Sequence, residues 1–417
     1  MTHKFRLLHG GIAVLVLAAA IVPSIAASPG PVVYVADVEQ LYDAVNAVND
    51  VNVGATVVLA PGIYTLSVND QFGAARPHGG RLELKQDMSL YGVAGDRAAV
   101  VIDAKGLLSP SFTAELPMGQ RTGVIRIGRG SNAIEWLTVL AKPVAAAGIE
   151  TDLGETSSTW IRVAHVVSDG SSRGVDVRNA GWAMNVGRQI DAEIVDNEFV
   201  GPPPTDVSSS VTTEGIRVSN FAGADSGVIV ATLSRNRSHG FQYGCVIANN
   251  RSSNAIVQVR SSVDRFFGNA QACVIFGGIS QTATGIANSN STAFEAHGSE
   301  FVDNTLTIDV VKPGGIRVAG GLSTIKANAT SQNIVSVALW GSKVSGNSGD
   351  FQACISGIDF QAYGACSGTT NTAGHDNHAT IELHGVSALV DYVAADSVPD
   401  DPSAGNSVTV IRSPDRP

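Results

Sequence analysis

Short runs in which apolar and polar residues alternate make up most of this chain, with turn residues between them. Alternation with a period of two predicts β-strands that bury one face. One segment differs: over residues 37–50 the apolar positions follow a helical spacing, and Asp37 with Gln40 resembles a capping box. The pattern predicts an all-β protein with one helix near residues 37–50. Strand follows strand without a second helix, which argues against a βαβ sheet.

A strand that opens on a small residue recurs through the later part of the chain. The starts are Gly148-Ile149, Gly174-Val175, Gly215-Ile216, Gly244-Cys245, Ala272-Cys273, Gly315-Ile316 and Gly357-Ile358. Three of the steps between them are of nearly equal length, and each longer step contains a polar segment, such as residues 201–214, that is typical of a loop. This repeat predicts a parallel β-helix in which each coil packs on its neighbours. We expect one domain over residues 28–417, with a polar C-terminal tail near residues 396–417.

The N-terminal residues have the features of a secretory signal peptide. Lys4 and Arg6 supply positive charge, residues 12–22 are apolar, and Ala26 and Ala27 are small enough for cleavage. A membrane anchor is the alternative, but this apolar run is shorter than the roughly 20 residues that cross a bilayer. We therefore expect residues 1–27 to be removed and the mature chain to be secreted or periplasmic, without a membrane partner.

The charge pattern argues against a nucleic-acid partner. Charged residues make up 15% of the chain, and the formal net charge is −10. Lysine and arginine occur singly rather than in runs, so the sequence has no basic stretch of the kind that neutralises phosphates.

The cysteines fit an oxidising compartment but are too few to form a disulfide scaffold. Cys245 and Cys273 stand in the same local pattern on successive predicted strands, whereas Cys354 and Cys366 do not. Equivalent positions on stacked coils lie about 4.8 Å apart, a separation that a disulfide spans. A Cys245–Cys273 disulfide and two buried free thiols are both compatible with the sequence.

Asparagines mark a second repeating position. Asn197, Asn236, Asn304 and Asn347 each follow a short strand-like run and precede the next small-residue strand. Because asparagine tolerates left-handed backbone, these residues predict a stacked column at one sharp corner of the coils. Isolated surface turns are the alternative.

The opening of the predicted domain resembles a known family. The segments concerned are the helix and strands of residues 37–66 with Pro61-Gly62-Ile63-Tyr64, then Gly79-Gly80-Arg81-Leu82-Glu83-Leu84, then Val101-Ile102-Asp103. They are similar to the N-terminal cap and first coils of pectin lyase-like right-handed parallel β-helices, and the remainder is similar in rhythm. The resemblance implies a right-handed coil and either a polysaccharide lyase, hydrolase or esterase, or a surface protein without catalysis. The catalytic motifs of polygalacturonases and of alginate and chondroitin lyases do not match, so no catalytic residue is carried over.

Charged residues recur two positions after the small residue that opens each strand. That position reads Glu150, Asp176, Arg217, Val246, Val274, Arg317 and Asp359. Side chains two residues apart on a strand share a face, so Arg178 joins Asp176. We expect Glu150, Asp176, Arg178 and Arg217 to form a catalytic patch beneath or beside the loop of residues 201–214.

This patch suits chemistry on an acidic polysaccharide. In a lyase, Glu150 and Asp176 would hold Ca²⁺, and Arg217 or Arg178 would meet the uronate carboxylate. A hydrolase would instead use two carboxylates. The structural alternative is a solvated ladder of alternating charge, in which replacing Arg217 would hardly change the melting temperature. The sequence thus predicts a secreted lyase or hydrolase acting on acidic glycans, with a non-catalytic glycan-binding or surface-adhesion protein as the alternative.

Overall fold

A computed structural model describes most of the 417-residue chain. The described residues are 30–51, 53–107, 123–141, 147–151, 158–180, 188–203, 212–221, 223–280, 287–307, 314–323, 330–347, 360–367, 376–386 and 407–413. The predicted signal peptide, Cys354, Asp359 and residues 204–211 of the predicted loop lie outside them.

Strands dominate the described residues. In chain order the elements are β1 Val32–Val35, α1 Val38–Val51, β2 Ala55–Leu59, β3 Gly62–Ser67, a 3-10 turn Pro77–Gly80, β4 Leu82–Gln86, β5 Met88–Tyr91, β6 Val100–Gly106, β7 Ile125–Glu135, β8 Thr138–Leu140, β9 Ala147–Glu150, β10 Thr159–Ala164, β11 Val167–Asp169, β12 Arg173–Ala180, β13 Gln189–Val195, β14 Glu198–Val200, β15 Glu214–Phe221, β16 Val228–Ser234, β17 Arg237–His239, β18 Tyr243–Asn250, β19 Ile256–Ser262, β20 Arg265–Phe267, β21 Gln271–Ser280, β22 Ala287–Asn288, β23 Ser291–His297, β24 Glu300–Val302, β25 Gly314–Ser323, β26 Thr330–Ser331, β27 Ile334–Trp340, β28 Lys343–Ser345, β29 Phe360–Ser367, β30 His378–His384 and β31 Ser407–Ser413.

These strands wind into a right-handed parallel β-helix, as predicted. Sheet 1 contains β4, the first half of β7, β9, β12, β15, β18, β21, β25 and β29. Sheet 2 contains β1, β2, β5, the second half of β7, β10, β13, β16, β19, β23, β27, β30 and β31. Sheet 3 contains β3, β6, β8, β11, β14, β17, β20, β24 and β28. A typical coil passes through sheets 1, 2 and 3 in that order, and each strand pairs in parallel with its counterparts on adjacent coils.

The predicted helix is present as α1 and covers the N-terminal end of the solenoid. Gln40 donates its backbone N–H to Asp37 Oδ1 over 2.8 Å, which confirms the predicted cap. Leu41 and Val45 lie on the buried face of the helix and join the apolar core. The helix therefore shields apolar side chains that the first coil would otherwise expose to water.

Apolar columns inside the coils form the core. One column on sheet 1 contains Ile149, Val175, Ile216, Cys245, Cys273 and Ile316, and all of these side chains are buried. Cys245 and Cys273 are register partners, as the repeat predicted, and of the two alternatives the structure has buried free thiols. Burial is the largest of the effects that raise the pKa of the Cys245 thiol well above its ordinary value, so this thiol is protonated and unreactive.

The repeated strand opens on a small residue for a steric reason. A Cβ atom on Gly215 would stand 1.8 Å from the Ser238 hydroxyl oxygen, and one on Gly174 would stand 2.5 Å from a ring carbon of Phe199. Both neighbours belong to sheet 3, which approaches sheet 1 closely at this corner. Glycine is needed there because any side chain would collide.

The four predicted asparagines stack with their counterparts on adjacent coils, but at two different corners rather than the single predicted one. Asn197 and Asn236 lie between sheets 2 and 3, where Asn197 Nδ2 donates to Asn236 Oδ1 over 3.0 Å. Asn304 and Asn347 lie between sheets 3 and 1, and the equivalent bond measures 2.8 Å. Both corners need an inward amide just after the end of a strand, so their local sequences look alike.

Left-handed backbone occurs one residue before each asparagine, not at the asparagine itself. Asp196 has φ 57° and Arg235 has φ 55°. The asparagine that follows points inward, and Asn236 Oδ1 accepts the backbone N–H of Asn197 while its Nδ2 donates to the Ile194 carbonyl. Asparagine is therefore selected for its amide, which bonds buried backbone groups that would otherwise lack partners.

The predicted polar C-terminal tail near residues 396–417 includes one strand. Residues 407–413 form β31, which pairs along its whole length with β30. Val408 and Val410 pack against the core, so their alternation extends the solenoid.

Within the described residues, no helix combines the length and apolar character needed to cross a bilayer.

Asp264 occupies the next place in the corner column after Asn236. Its Oδ1 accepts the backbone N–H and the Nδ2 of Asn236 over 2.7 and 2.9 Å, and its Oδ2 accepts the Ser261 hydroxyl over 2.6 Å. Burial is the largest influence on this carboxyl and raises its pKa to about 6, although these hydrogen bonds oppose the shift.

We predict that Asp264→Asn stabilises the protein at neutral pH. A raised pKa means that the folded state favours the protonated carboxyl, so wild-type stability falls as the pH rises from about 4 to about 6. The variant should lack this loss and gain up to about 3 kcal/mol at pH values above about 6. Chemical denaturation at a series of pH values measures the effect.

Asp43→Asn is the matched control because Asp43 is exposed on α1. It should keep the wild-type pH profile. An Asp264→Asn variant with the same pH profile as the wild type would contradict the assignment.

Candidate functional site

A column of register positions that includes most of the predicted charged residues runs along sheet 1. In register it contains Glu83, Arg126, Glu150, Asp176, Arg217, Val246, Val274, Arg317 and Gln361. We call the first five residues of this column the charged ladder. The predicted order is correct up to Arg317, but the partner of Arg317 is Gln361 instead of Asp359. A shift of two residues preserves the alternation, so the sequence pattern did not reveal it.

Asp176 lies at the centre of three arginines. Its Oδ2 is 3.6 Å from Arg173 Nε and 3.8 Å from Arg178 Nε, and its Oδ1 is 3.8 Å from Arg217 Nε. Arg178 and Arg217 therefore both lie beside Asp176, as predicted. The Asp176 carboxylate is fully buried and accepts no hydrogen bond within the described residues, so it interacts with its neighbours by charge alone.

Glu150 connects to this group through Arg178. Arg178 Nη2 donates to Glu150 Oε1 over 2.6 Å, and Gly123 donates its backbone N–H to Glu150 Oε2 over 2.6 Å. Both side chains are fully buried. Replacing either partner of such a pair destabilises the protein, because the other charge would remain in a medium of low dielectric constant.

Glu214 links two of the arginines. Arg173 Nε donates to Glu214 Oε2 over 2.6 Å, and Arg217 Nη1 lies 3.2 Å from both carboxylate oxygens. Burial by itself raises the pKa of Glu214, but the two guanidinium groups outweigh it and hold the pKa below its ordinary value. Burial also lowers the pKa of Arg217, with Glu214 opposing and Arg173 reinforcing the shift.

The ladder is not solvated, which corrects the structural alternative considered from the sequence. Arg217 is 5% exposed. The ring of Phe221 packs against it, with the guanidinium carbons of Arg178 and Arg217 each 5.4 Å and that of Arg251 4.6 Å from the ring centroid. The stems of these long side chains and the aromatic ring cover one another. Replacing Arg217 should therefore lower the melting temperature, contrary to the expectation for an exposed pair.

Sequence reasoning missed four charged members of this site. Strict alternation from Asp176 excludes Arg173 and Glu214, but Gly174 and Gly215 interrupt the alternation where sheet 3 approaches. Glu83 and Arg126 were detectable, since each stands between two apolar residues on its strand. The small-residue opening that guided the register is absent there.

A cleft lies beside the ladder on the same face. Its volume is about 190 Å³, and its lining includes Arg173, Thr212, Glu214, Arg217, Phe221, Tyr243, Val246, Val274, Phe276 and Arg317. Thr212 and Glu214 belong to the end of the predicted loop, so this end borders the cleft. Asp176, Arg178 and Glu150 lie behind Arg217 and do not line it.

The residues present do not fit a calcium ion between Glu150 and Asp176. Calcium takes six to eight oxygen ligands, whereas both carboxylates face guanidinium groups. Three arginines stand within 3.8 Å of Asp176, and their charge would repel a cation. Elsewhere among the described residues, no group of three or more acidic, histidine or cysteine side chains is arranged to hold a metal ion.

We predict that Asp176→Asn destabilises the protein by about 3–5 kcal/mol, because it leaves three buried arginines without their shared counter-charge. Asp196→Asn is the matched control. Asp196 pairs with the half-exposed Arg235 at 2.7 Å, and losing an exposed pair costs at most about 1 kcal/mol. Chemical denaturation compares the two variants, and equal effects would show that Asp176 is not held by charge.

No protein-family model matches this sequence, and no curated protein sequence is similar to it. Several solved structures are similar to it at low identity. The A-module of a mannuronan C-5 epimerase from Azotobacter vinelandii is 14% identical, with a TM-score of 0.36, and the match covers 92% of this chain and 98% of that one. A pectate lyase is 11% identical, with a TM-score of 0.33, over 94% and 79% of the two chains. An alginate lyase from Paenibacillus is 12% identical, with a TM-score of 0.25, over 80% and 97%.

Proposed function

We propose that this chain is a secreted protein that binds an acidic polysaccharide along the outer face of sheet 1 and cleaves it by elimination. The observation that supports this is the charge of the cleft. Among the described residues that line it, three arginines, Arg173, Arg217 and Arg317, stand against one carboxylate, that of Glu214. This cationic excess lies in a chain with a net charge of −10, and it suits a substrate that carries carboxylates.

Arg217 and Glu214 are the catalytic residues in this proposal. Elimination removes a proton from the carbon next to the uronate carboxylate, forms a carbon–carbon double bond and breaks the glycosidic bond, whose oxygen leaves with a proton. The Arg217 guanidinium stays charged although burial lowers its pKa. It neutralises the uronate carboxylate, which makes the proton on the adjacent carbon easier to remove. Glu214, whose carboxylate lines the cleft, accepts that proton and passes it to the leaving oxygen, and the arginines that lower the pKa of Glu214 favour the second transfer.

Asp176, Arg178 and Glu150 act as positioning residues. Asp176 contacts Arg217 from behind, and Arg178 is held between Asp176 and Glu150. Their burial keeps the guanidinium groups in fixed places, which is what preorganised binding of a planar carboxylate requires.

Elimination fits this site better than hydrolysis. A glycoside hydrolase needs one carboxylic acid that stays protonated, hence a carboxyl whose pKa is raised. Glu214, the carboxylate at the cleft, has its pKa shifted the other way. Asp264 has a raised pKa, but it lies in the corner between sheets 2 and 3 rather than at the cleft.

Binding without cleavage is the second candidate function. The carboxylates of the ladder all face arginines, and such complete pairing is also what a rigid binding surface needs. The two functions differ in their products, since elimination leaves unsaturated sugar ends.

The purified protein should form unsaturated ends on pectate, alginate or a glycosaminoglycan, in the presence of a chelator as well as with added Ca²⁺. Arg217→Lys keeps the charge but loses the guanidinium fork, so product formation should fall about tenfold or more. Ultraviolet absorbance measures the unsaturated ends, and gel-shift titration measures binding.

Arg260→Lys is the control, since Arg260 is exposed on sheet 2 and pairs only loosely with Glu295 at 3.6 Å. It should retain wild-type activity. New reducing ends without unsaturation would contradict elimination, and binding without products would establish the second candidate.

Secretion is part of the same proposal. We predict that the protein isolated from the medium or periplasm begins between Ala26 and Ser28, because the small residues there suit signal peptidase. N-terminal sequencing or intact mass measurement tests this. An intact Met1 on the exported protein would contradict cleavage.

A further inference from the structure

The charged column on sheet 1 is interrupted for two coils. Between Arg217 and Arg317 the register partners are Val246 and Val274. Their neighbours on the same strands, Cys245 and Cys273, point into the main core. The valines therefore lie on the outer face, where the core does not require apolar side chains.

These valines belong to a second apolar cluster, separate from the main core. Its buried members are Val246, Ala248, Val274, Phe276, Ile279 and Ala319, with Tyr243 packed against them. The cluster lines the cleft described above and stands between its two terminal arginines. The cleft thus has an apolar floor with a positive charge at each end.

The dimensions limit what this floor accepts. Three strand spacings separate Arg217 from Arg317, which is about 14 Å along the solenoid axis. The volume of about 190 Å³ is smaller than the roughly 300 Å³ of a pocket that encloses a drug-sized molecule. The cleft suits small substituents of an extended chain, not a whole bulky oligosaccharide.

A polymer with a carboxylate on every sugar fits this floor poorly. It would place anionic groups over Val246 and Val274, where burial removes water and offers no positive partner. Uncharged sugars with apolar substituents would instead bury methyl groups there, while charged sugars on either side reach Arg217 and Arg317.

We infer that the site takes an acidic polysaccharide whose charged sugars are separated by sugars carrying apolar ester groups, such as O-acetyl or methyl esters. This inference rests on the proposed function and adds the substrate class. The valine floor binds the ester methyl groups, and the two arginines bind the flanking carboxylates.

Matched polymers test this. Acetylated gellan, whose acetyl groups are on neutral sugars between the uronates, and methyl-esterified pectin are each compared with the same polymer after mild de-esterification, by competition binding to the full-length mature protein. Burial of one methyl group corresponds to about fourfold in affinity, and of two to about 15-fold. We expect one esterified form to bind more tightly by about that factor, and the two polymers distinguish acetyl from methyl esters.

The double variant Val246→Thr with Val274→Thr adds hydroxyl groups to the floor at nearly constant volume. It should bind esterified and de-esterified polymer equally, with an unchanged circular dichroism spectrum. Val230→Thr is the control, because Val230 is 37% exposed on sheet 2, and it should keep the preference.

The outcomes separate the inference from the function on which it rests. Tighter binding of the de-esterified polymers by the wild type, equal binding of both forms, or an undiminished preference in the double variant would overturn the inference alone. Failure to bind any acidic polymer would overturn the proposed function as well.

Discussion

Stacking of parallel coils places every side chain about 4.8 Å from its counterparts on the coils before and after it. Each side chain must therefore be compatible with the side chains at the equivalent position on both adjacent coils. Apolar columns satisfy this by packing, and asparagine columns by passing hydrogen bonds from coil to coil. Charged columns need a counter-charge within reach of every member. Glu83, Arg126 and Glu150 alternate in sign along sheet 1, and Arg178 contacts both of the like-charged register partners Glu150 and Asp176.

Burial makes this constraint stricter. Asp176 and Arg217 are register partners, and each also contacts charged residues at other positions of the strands. At a solvated surface such pairs would contribute little, but here the removal of one partner leaves a charge inside the protein. The same rigidity keeps Arg217 in place at the edge of the cleft. Stability and binding geometry thus depend on the same contacts.

Much of the fold was predictable from the sequence because it depends on local periodicity. The alternation in the strands, the cap at Asp37 and Gln40, and the register from Glu150 to Arg317 are all visible in the residue order. The burial of the ladder was not, since it depends on Phe221 and on the neighbouring arginine stems. The split of Asn197 and Asn304 into different corners was also hidden, because both corners use the same residue type just after the end of a strand. Arg173 and Glu214 were missed because Gly174 and Gly215 interrupt the alternation that guided the search.

The corner hydrogen bonds all run in one direction, so the order in which the coils are synthesised affects when each bond can form. Asn236 accepts the backbone N–H of Asn197 on the preceding coil, and Asp264 does the same for Asn236. Each corner is thus completed by a side chain that is translated later. While the chain emerges from the ribosome, N-terminus first, its newest coil has backbone donors that await the next one. Each coil that is added to the solenoid supplies the acceptor for the backbone N–H at the corner of the coil before it. The added coil has an unpaired N–H at its own corner, so the hydrogen bonds favour stepwise assembly toward the C-terminus.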